Sequence, residues 1–231
     1  MEFTRPPAAS TERAVRASYD AIFRRAPLRD SEAHYAWVAR VLGPERGRTL
    51  LDIACGGGYF LREALARGAL AVGVDLSSEA LKLARGTAPG AALLCANGES
   101  LPFDGDVFDY AVNLGSLEHF LDPARGVREM ARVLKPGGRA VLLLPNSFFL
   151  MTIFNVWRTG STGRRTAQEV DRWATRGEWD RLLAENGLRV LKVLKYNYRV
   201  RKAPLKYRLL RPFIPRDLSY CFLFVCGKAA A

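Results

Sequence analysis

The chain has 231 residues, 49% of them apolar, and a formal charge of +12. That is enough apolar material for one α/β domain with additions, and it excludes a disordered chain or a disulfide-stapled miniature. Four cysteines, Cys55, Cys95, Cys221 and Cys226, show neither metal-ligand spacing nor a disulfide framework. With no apolar signal core at the N-terminus and no apolar run of ~18 residues, they point to a reducing, cytoplasmic setting.

Residues 1–9 read as irregular, with Pro6 and Pro7 breaking any pattern. From Ser10 to Leu42 helical spacing recurs, first in Val15, Tyr19, Ile22 and Phe23, then in Tyr35, Val38, Ala39 and Leu42, before Gly43-Pro44 ends it. An apolar run from Leu50 then meets Gly56-Gly57-Gly58, followed by Phe60, Leu61, Ala64 and Leu65 at helical spacing. This is strand, tight turn, helix. Glycine serves where backbone turns sharply or approaches a ligand, and the helix start offers free N–H groups to whatever lies above.

The strand Ala71–Leu76 ends in Asp75, nineteen residues after Gly56. That spacing suits a carboxylate that accepts from a ribose diol; the plainer role is a cap on the helix starting near Ser77. The third glycine of a dinucleotide fingerprint is missing, since Leu61 stands there. Asp52 adds negative charge beside the loop. Both disfavour a pyrophosphate, hence a nicotinamide-dependent reductase, and favour a cation such as a sulfonium with its ammonium group. Further strands are expected near 91–96, 108–114 and 138–145, with helices near 78–86 and 123–134, which predicts a parallel sheet with right-handed crossovers. Asp52, Asp75, Asn97 and Leu114 all fall at carboxyl ends of strands, where such sheets bind ligands.

Past Pro145 the run 148–157 is strongly apolar and reads equally as a substrate lid or a buried helix. A last helix is expected at 171–186, and two strands near 188–198 and 218–227. Residues 1–145 carry 18 Lys and Arg against 17 Asp and Glu, a balance of +1, whereas residues 146–231 carry 17 against 6, or +11. Between Arg189 and Arg216 lie ten basic residues and no acidic one, interleaved with Tyr196, Tyr198, Tyr207, Leu209, Leu210 and Phe213. Such a mixture suits a lipid interface or a phosphorylated, partly apolar acceptor, with residues 196–216 expected to form one wall of the acceptor site and touch those anions; a duplex nucleic acid is the rival partner and a solvated face the bland reading.

Leu51-Asp52-Ile53-Ala54-Cys55-Gly56-Gly57-Gly58 resembles the first motif of the class I S-adenosylmethionine-dependent methyltransferases, in their type 11, small-molecule branch. Asn97-Gly98-Glu99-Ser100-Leu101-Pro102-Phe103, Phe108–Val112, Leu117-Glu118-His119 and the stretch Glu129–Gly138 are similar to the motifs that follow, in order, over roughly residues 48–145. The resemblance implies a Rossmann-like, doubly wound, mostly parallel seven-stranded sheet with an antiparallel last strand and an N-terminal helical cap. It divides one domain into a cap (1–45), a cofactor core (46–145), an insertion with the last helix (146–187) and a basic strand pair (188–231). It implies S-adenosyl-L-methionine as cofactor and S-adenosyl-L-homocysteine as product. Backbone from Ala54 through Cys55 and Gly56 to Gly58 would hold the amino-acid portion and Asp52 the ammonium. Asp75 would take the ribose, Leu76 the adenine face, Asn97 and Gly98 the adenine edge, and Leu114 the methionine portion.

Two departures stand out. Ala54 replaces a usual glycine, and Asn97 replaces a usual aspartate; if Asn97 meets the adenine amino group, an aspartate there should serve as well or better. His119 is a candidate general base or cavity wall, against a capping role, and Tyr19 a candidate site residue, against a core aromatic. His34 reads as structural, and no metal site is expected. The implied acceptor is a small or lipid-like molecule such as a quinone, sugar or natural product, reached in the cytoplasm or at the inner membrane face. An RNA methyltransferase and a non-catalytic binding module are the alternatives, and the oligomeric state stays open.

Overall fold

The computed structural model describes residues 11–25, 28, 30–162, 170–197 and 211–229. Seven strands, β1 Thr49–Ile53, β2 Leu70–Asp75, β3 Ala92–Cys95, β4 Phe108–Leu114, β5 Leu134–Pro145, β6 Leu188–Tyr196 and β7 Cys221–Lys228, form one sheet in the order β3-β2-β1-β4-β5-β7-β6. All neighbours pair in parallel except β7, which runs antiparallel to both β5 and β6. The expected doubly wound sheet is therefore present, with its order reversing between β1 and β4.

Seven α-helices flank it: α1 Glu12–Arg25, α2 Glu32–Leu42, α3 Tyr59–Ala66, α4 Ser78–Thr87, α5 Pro123–Val133, α6 Leu150–Thr159 and α7 Arg176–Glu185. On one face Val127 and Met130 of α5 and Trp179, Leu182 and Leu183 of α7 pack on the strands; on the other, Val38 and Leu42 of α2, Phe60 and Leu61 of α3 and Leu81 of α4 do so. Strands covered on both faces read as continuous apolar runs, which is why β1, β4 and β5 were recognisable. Fully buried Trp179 donates its indole N–H to the Pro145 carbonyl at 2.8 Å, tying α7 to the end of β5.

Element ends follow local chemistry. Ser77 accepts from the Ala80 N–H and starts α4, and Asp122 accepts from Arg125 N–H ahead of Pro123 in α5. The last helix begins at Arg176, five residues later than expected, because Thr175 and Glu178 form a capping box there. The preceding residues run as a connector, with Ala174 bridged to Asn146. β5 starts four residues early, at Leu134, through a register shift against β4 between Phe108 and Tyr110.

The run 148–157 became α6, which has no buried residue. The buried-helix reading is thereby excluded. Phe154 is 48% and Trp157 80% exposed. Residues 1–9 and most of the basic stretch, 198–210, lie outside the described residues. Two 3-10 turns, Arg211–Phe213 and Arg216–Leu218, lead into β7.

Candidate active site

A cavity of about 370 Å³ opens beyond the carboxyl ends of β1, β2 and β4, where the sheet order reverses. Its floor is made by Asp52, Asp75 and Leu114, and Val15, Tyr19, Ile22 and Phe23 of α1 also line it. The helical spacing read in α1 was thus right, but that apolar face meets the cavity rather than the core; only Phe23 is buried.

The glycine turn is held from below. Asp75 accepts from Gly56 N–H at 2.8 Å through one carboxylate oxygen and from Ser77 N–H at 2.8 Å through the other. One side chain therefore joins the turn after β1 to the start of α4. Ala54 adopts φ 58°, Gly56 52° and Gly58 75°. Ala54 is in the left-handed region although it carries a Cβ, so the turn keeps its tightness at the cost of strain. Gly58 does not line the cavity. It precedes α3, and a Cβ on it would lie 3.0 Å from Ala84 Cα, so packing against α4 requires it to be glycine.

The charges of this floor are uncompensated. Burial pushes the Asp75 carboxyl up to about 6, against the pull of its backbone hydrogen bonds. Asp52 is pushed well above the usual carboxylate range by burial, with the neighbouring Asp75 charge adding to it. Neither has an ion-pair partner among the described residues. Two buried acids facing a cavity form a receptor for a cation. Cys55 beside them is pushed up by the same burial and by both aspartates, which keeps it an unreactive thiol.

α1 is fastened across the cavity at two points. Near its start, Glu12 accepts from the Asn97 amide N–H at 2.9 Å. Further along, Asp20 accepts from the Ser77 hydroxyl at 2.6 Å and from Glu79 N–H at 3.3 Å. Asn97 also accepts from Glu99 N–H at 2.9 Å, so its carbonyl oxygen is already engaged once. Gly98 leaves room for Phe120: a Cβ there would stand 2.6 Å from that ring.

His119 ends the 3-10 turn Leu117–His119 after β4, buried and in the cavity wall. Its Nδ1 lies 2.5 Å from the Val170 carbonyl oxygen. A carbonyl only accepts, so Nδ1 carries the proton of the neutral ring and Nε2 keeps its lone pair. Glu118 Oε1 is 3.7 Å from Nε2 and Asp171 Oδ1 is 3.9 Å from Nδ1. His34 is buried against Tyr196, as a structural residue would be.

Comparison with known proteins agrees with this architecture. The Methyltransferase domain family matches residues 51–142. A demethylmenaquinone methyltransferase of Corynebacterium kroppenstedtii is 42% identical over 98 residues, spanning 42% of each chain. A ubiquinone biosynthesis O-methyltransferase of Alkalilimnicola ehrlichii is 32% identical over 189 residues, covering 74% of each. The chain belongs to the class I S-adenosylmethionine-dependent methyltransferases. In fold, this methyltransferase is similar to a solved S-adenosylmethionine-dependent methyltransferase of Mesorhizobium loti, with TM-score 0.62 and 23% identity over 84% of this chain and 98% of that one.

In the methyltransferase cavity stand Tyr19, Asp52, Ala54, Cys55, Gly56, Asp75, Leu76, Asn97, Gly98, Leu114 and His119, every singled-out residue but Gly58. Sequence reasoning missed Glu12, Tyr35 and Tyr59, whose spacing carries no motif. It also gave no role to Glu99 and Glu118, although both sit inside stretches that carried the resemblance. Tyr35 and Tyr59 stack with centroids 5.8 Å apart and planes at 21°. No residue of α6 lines the cavity.

Proposed function

We propose that this methyltransferase methylates a hydroxyl of a phenol-like small molecule carried on an apolar scaffold. One arrangement carries the reading: the buried acid pair Asp52 and Asp75 lines the same cavity as His119, whose Nδ1 is held by the Val170 carbonyl. The names of the relatives, which concern quinone biosynthesis, point to the same acceptor class. The aromatic wall of Tyr19, Tyr35, Tyr59 and Phe120 suits a flat ring.

S-adenosylmethionine fits the floor, because its ammonium supplies a positive charge that the buried acids lack and its ribose diol offers donors to a carboxylate. It supplies the methyl carbon to the acceptor oxygen and leaves as S-adenosylhomocysteine. Asp52 is assigned to the ammonium, and the remaining lone pairs of Asp75 to the ribose diol. Backbone from Ala54 to Gly57 takes the amino-acid portion. Leu76, Asn97 and Gly98 take the adenine, and Leu114 lies along the methionine chain. His119 Nε2 removes the hydroxyl proton as the oxygen–carbon bond forms, and α1 excludes water. The exposed apolar residues of α6, in a stretch without an acidic residue from Asn146 to Gln168, support contact with an anionic lipid surface that holds such an acceptor.

Calorimetry with S-adenosylmethionine, S-adenosylhomocysteine and NADPH tests the cofactor half. Binding of the first two and not the third is expected, and Asp75→Ala should lose about 1.5–3 kcal/mol, the worth of hydrogen bonds to a charged group. Methylation of a dihydroxybenzene, read by mass, tests the acceptor half. Unchanged cofactor affinity in Asp75→Ala would remove the ribose assignment.

A further inference from the structure

His119 sits at the end of a single 3-10 turn, too short to satisfy its own carbonyls. The Glu118 carbonyl and those of the two residues after the turn, Phe120 and Leu121, are met by Arg172, from the connector between α6 and α7. Its Nη1 donates to Phe120 O and, at 3.5 Å, to Glu118 O; its Nη2 donates to Leu121 O at 3.1 Å. The Arg172 backbone N–H donates to Glu118 O at 3.1 Å. The side chain is buried, at 5% exposure, and its Nε has no hydrogen-bond partner among the described residues. Burial draws its pKa down, while Glu99 and Asp122 favour the charged form. A guanidinium in this place costs desolvation, and what it gains is the fixed geometry of three neighbouring carbonyls.

Val170 is two residues upstream in the same connector, and its carbonyl receives the His119 Nδ1–H. Anchoring Arg172 to the turn therefore also fixes where that carbonyl stands. We infer that Arg172 is a positioning residue: by clasping residues 118–121 to the connector, it holds the Val170 carbonyl against Nδ1 and keeps Nε2 of His119 unprotonated and turned to the acceptor. Its kinetic consequence rests on His119 acting as the base; its structural half does not. Nothing in the sequence marks the pair, because Arg172 and His119 are 53 positions apart and Arg172 belongs to no motif.

The test exploits a chain with only two histidines. Ring nitrogen-15 spectra of the neutral imidazole, assigned with His119→Gln, report the tautomer directly. The wild type is expected as the Nδ1–H form. Arg172→Met should redistribute His119 toward Nε2–H and lower kcat with a dihydroxybenzene acceptor by about tenfold or more, a part of the roughly 10²–10⁴-fold that a general base contributes, with cofactor affinity unchanged. Arg172→Lys keeps the charge without the fork and should recover little of either. It also stands in if Arg172→Met does not fold. A wild-type Nε2–H ring, or a tautomer that Arg172→Met leaves untouched, overturns the inference. A redistributed tautomer with undiminished turnover upholds the positioning role and removes instead the reading of His119 as base.

Discussion

At the scale of single residues, Ala54 is the clearest strain in the site. Its φ of 58° costs a side-chain-bearing residue about 1–2 kcal/mol, part of which glycine would return in unfolded-state entropy. Ala54→Gly should therefore raise stability by about 1 kcal/mol in urea denaturation; a destabilised variant would show that the Cβ packs usefully. The acid pair makes a second prediction. Asp75 holds its proton to about pH 6 in the folded chain, against 3.8 as the ordinary value. Between these two pH values the folded state binds more protons than the unfolded, so this group's contribution to stability falls as pH rises through the window. A cationic cofactor favours the ionised pair, so its binding should release protons near pH 6 and strengthen as pH rises through it. Calorimetry in two buffers of different ionisation enthalpy reads that release. Its absence would mean that the ligand's positive charge lies elsewhere. These residues were legible in the sequence because strand ends and glycine spacing place them. Their charge state was not, since it depends on a burial that no spacing reports.

At the scale of elements, α1 decides what the cavity can admit. It is latched by Glu12 to Asn97 and by Asp20 to the start of α4. The latch gives the asparagine a reason to be neutral: an aspartate at 97 would face the Glu12 carboxylate. The expectation that Asn97→Asp binds the cofactor equally well or better is thus reversed. We expect a loss of about 1 kcal/mol, one hydrogen bond's worth, restored when Glu12→Gln is added. Equal affinities for parent and Asn97→Asp would mean that the latch is immaterial to binding. Amphipathic spacing disclosed that α1 exists. It could not disclose the partner of its apolar face, because a core and a ligand cavity ask for the same residues. The ambiguity over 148–157 has the same origin, since a lid, a buried helix and a docking helix share one composition.

At the scale of the whole molecule, charge and apolar exposure are segregated. The cofactor half is nearly neutral, and α6 presents Ile153, Phe154 and Trp157 to solvent within the basic half. If this face meets lipid, the protein should sediment with anionic vesicles and not neutral ones, and the association should fade with salt. Replacing Phe154 and Trp157 together by alanine should weaken it about a hundredfold, given ~1.5 kcal/mol for each large side chain that leaves water. Tight binding to duplex RNA without vesicle binding would move the acceptor to nucleic acid.

The place of β7 has a bearing on how the molecule is made. It is synthesised after β6, yet it lies between β5 and β6 and supplies every hydrogen bond that joins them to one sheet. While the polypeptide emerges from the ribosome, β5 must wait as an open edge until residues 221–228 clear the exit tunnel. β6 meanwhile has no strand neighbour at all. Folding can begin with the parallel half, but closure of the sheet waits for β7. A stop codon at 220 would accordingly release a chain with the whole cavity floor encoded and an exposed β5 edge beside it, a product we expect in the aggregated fraction.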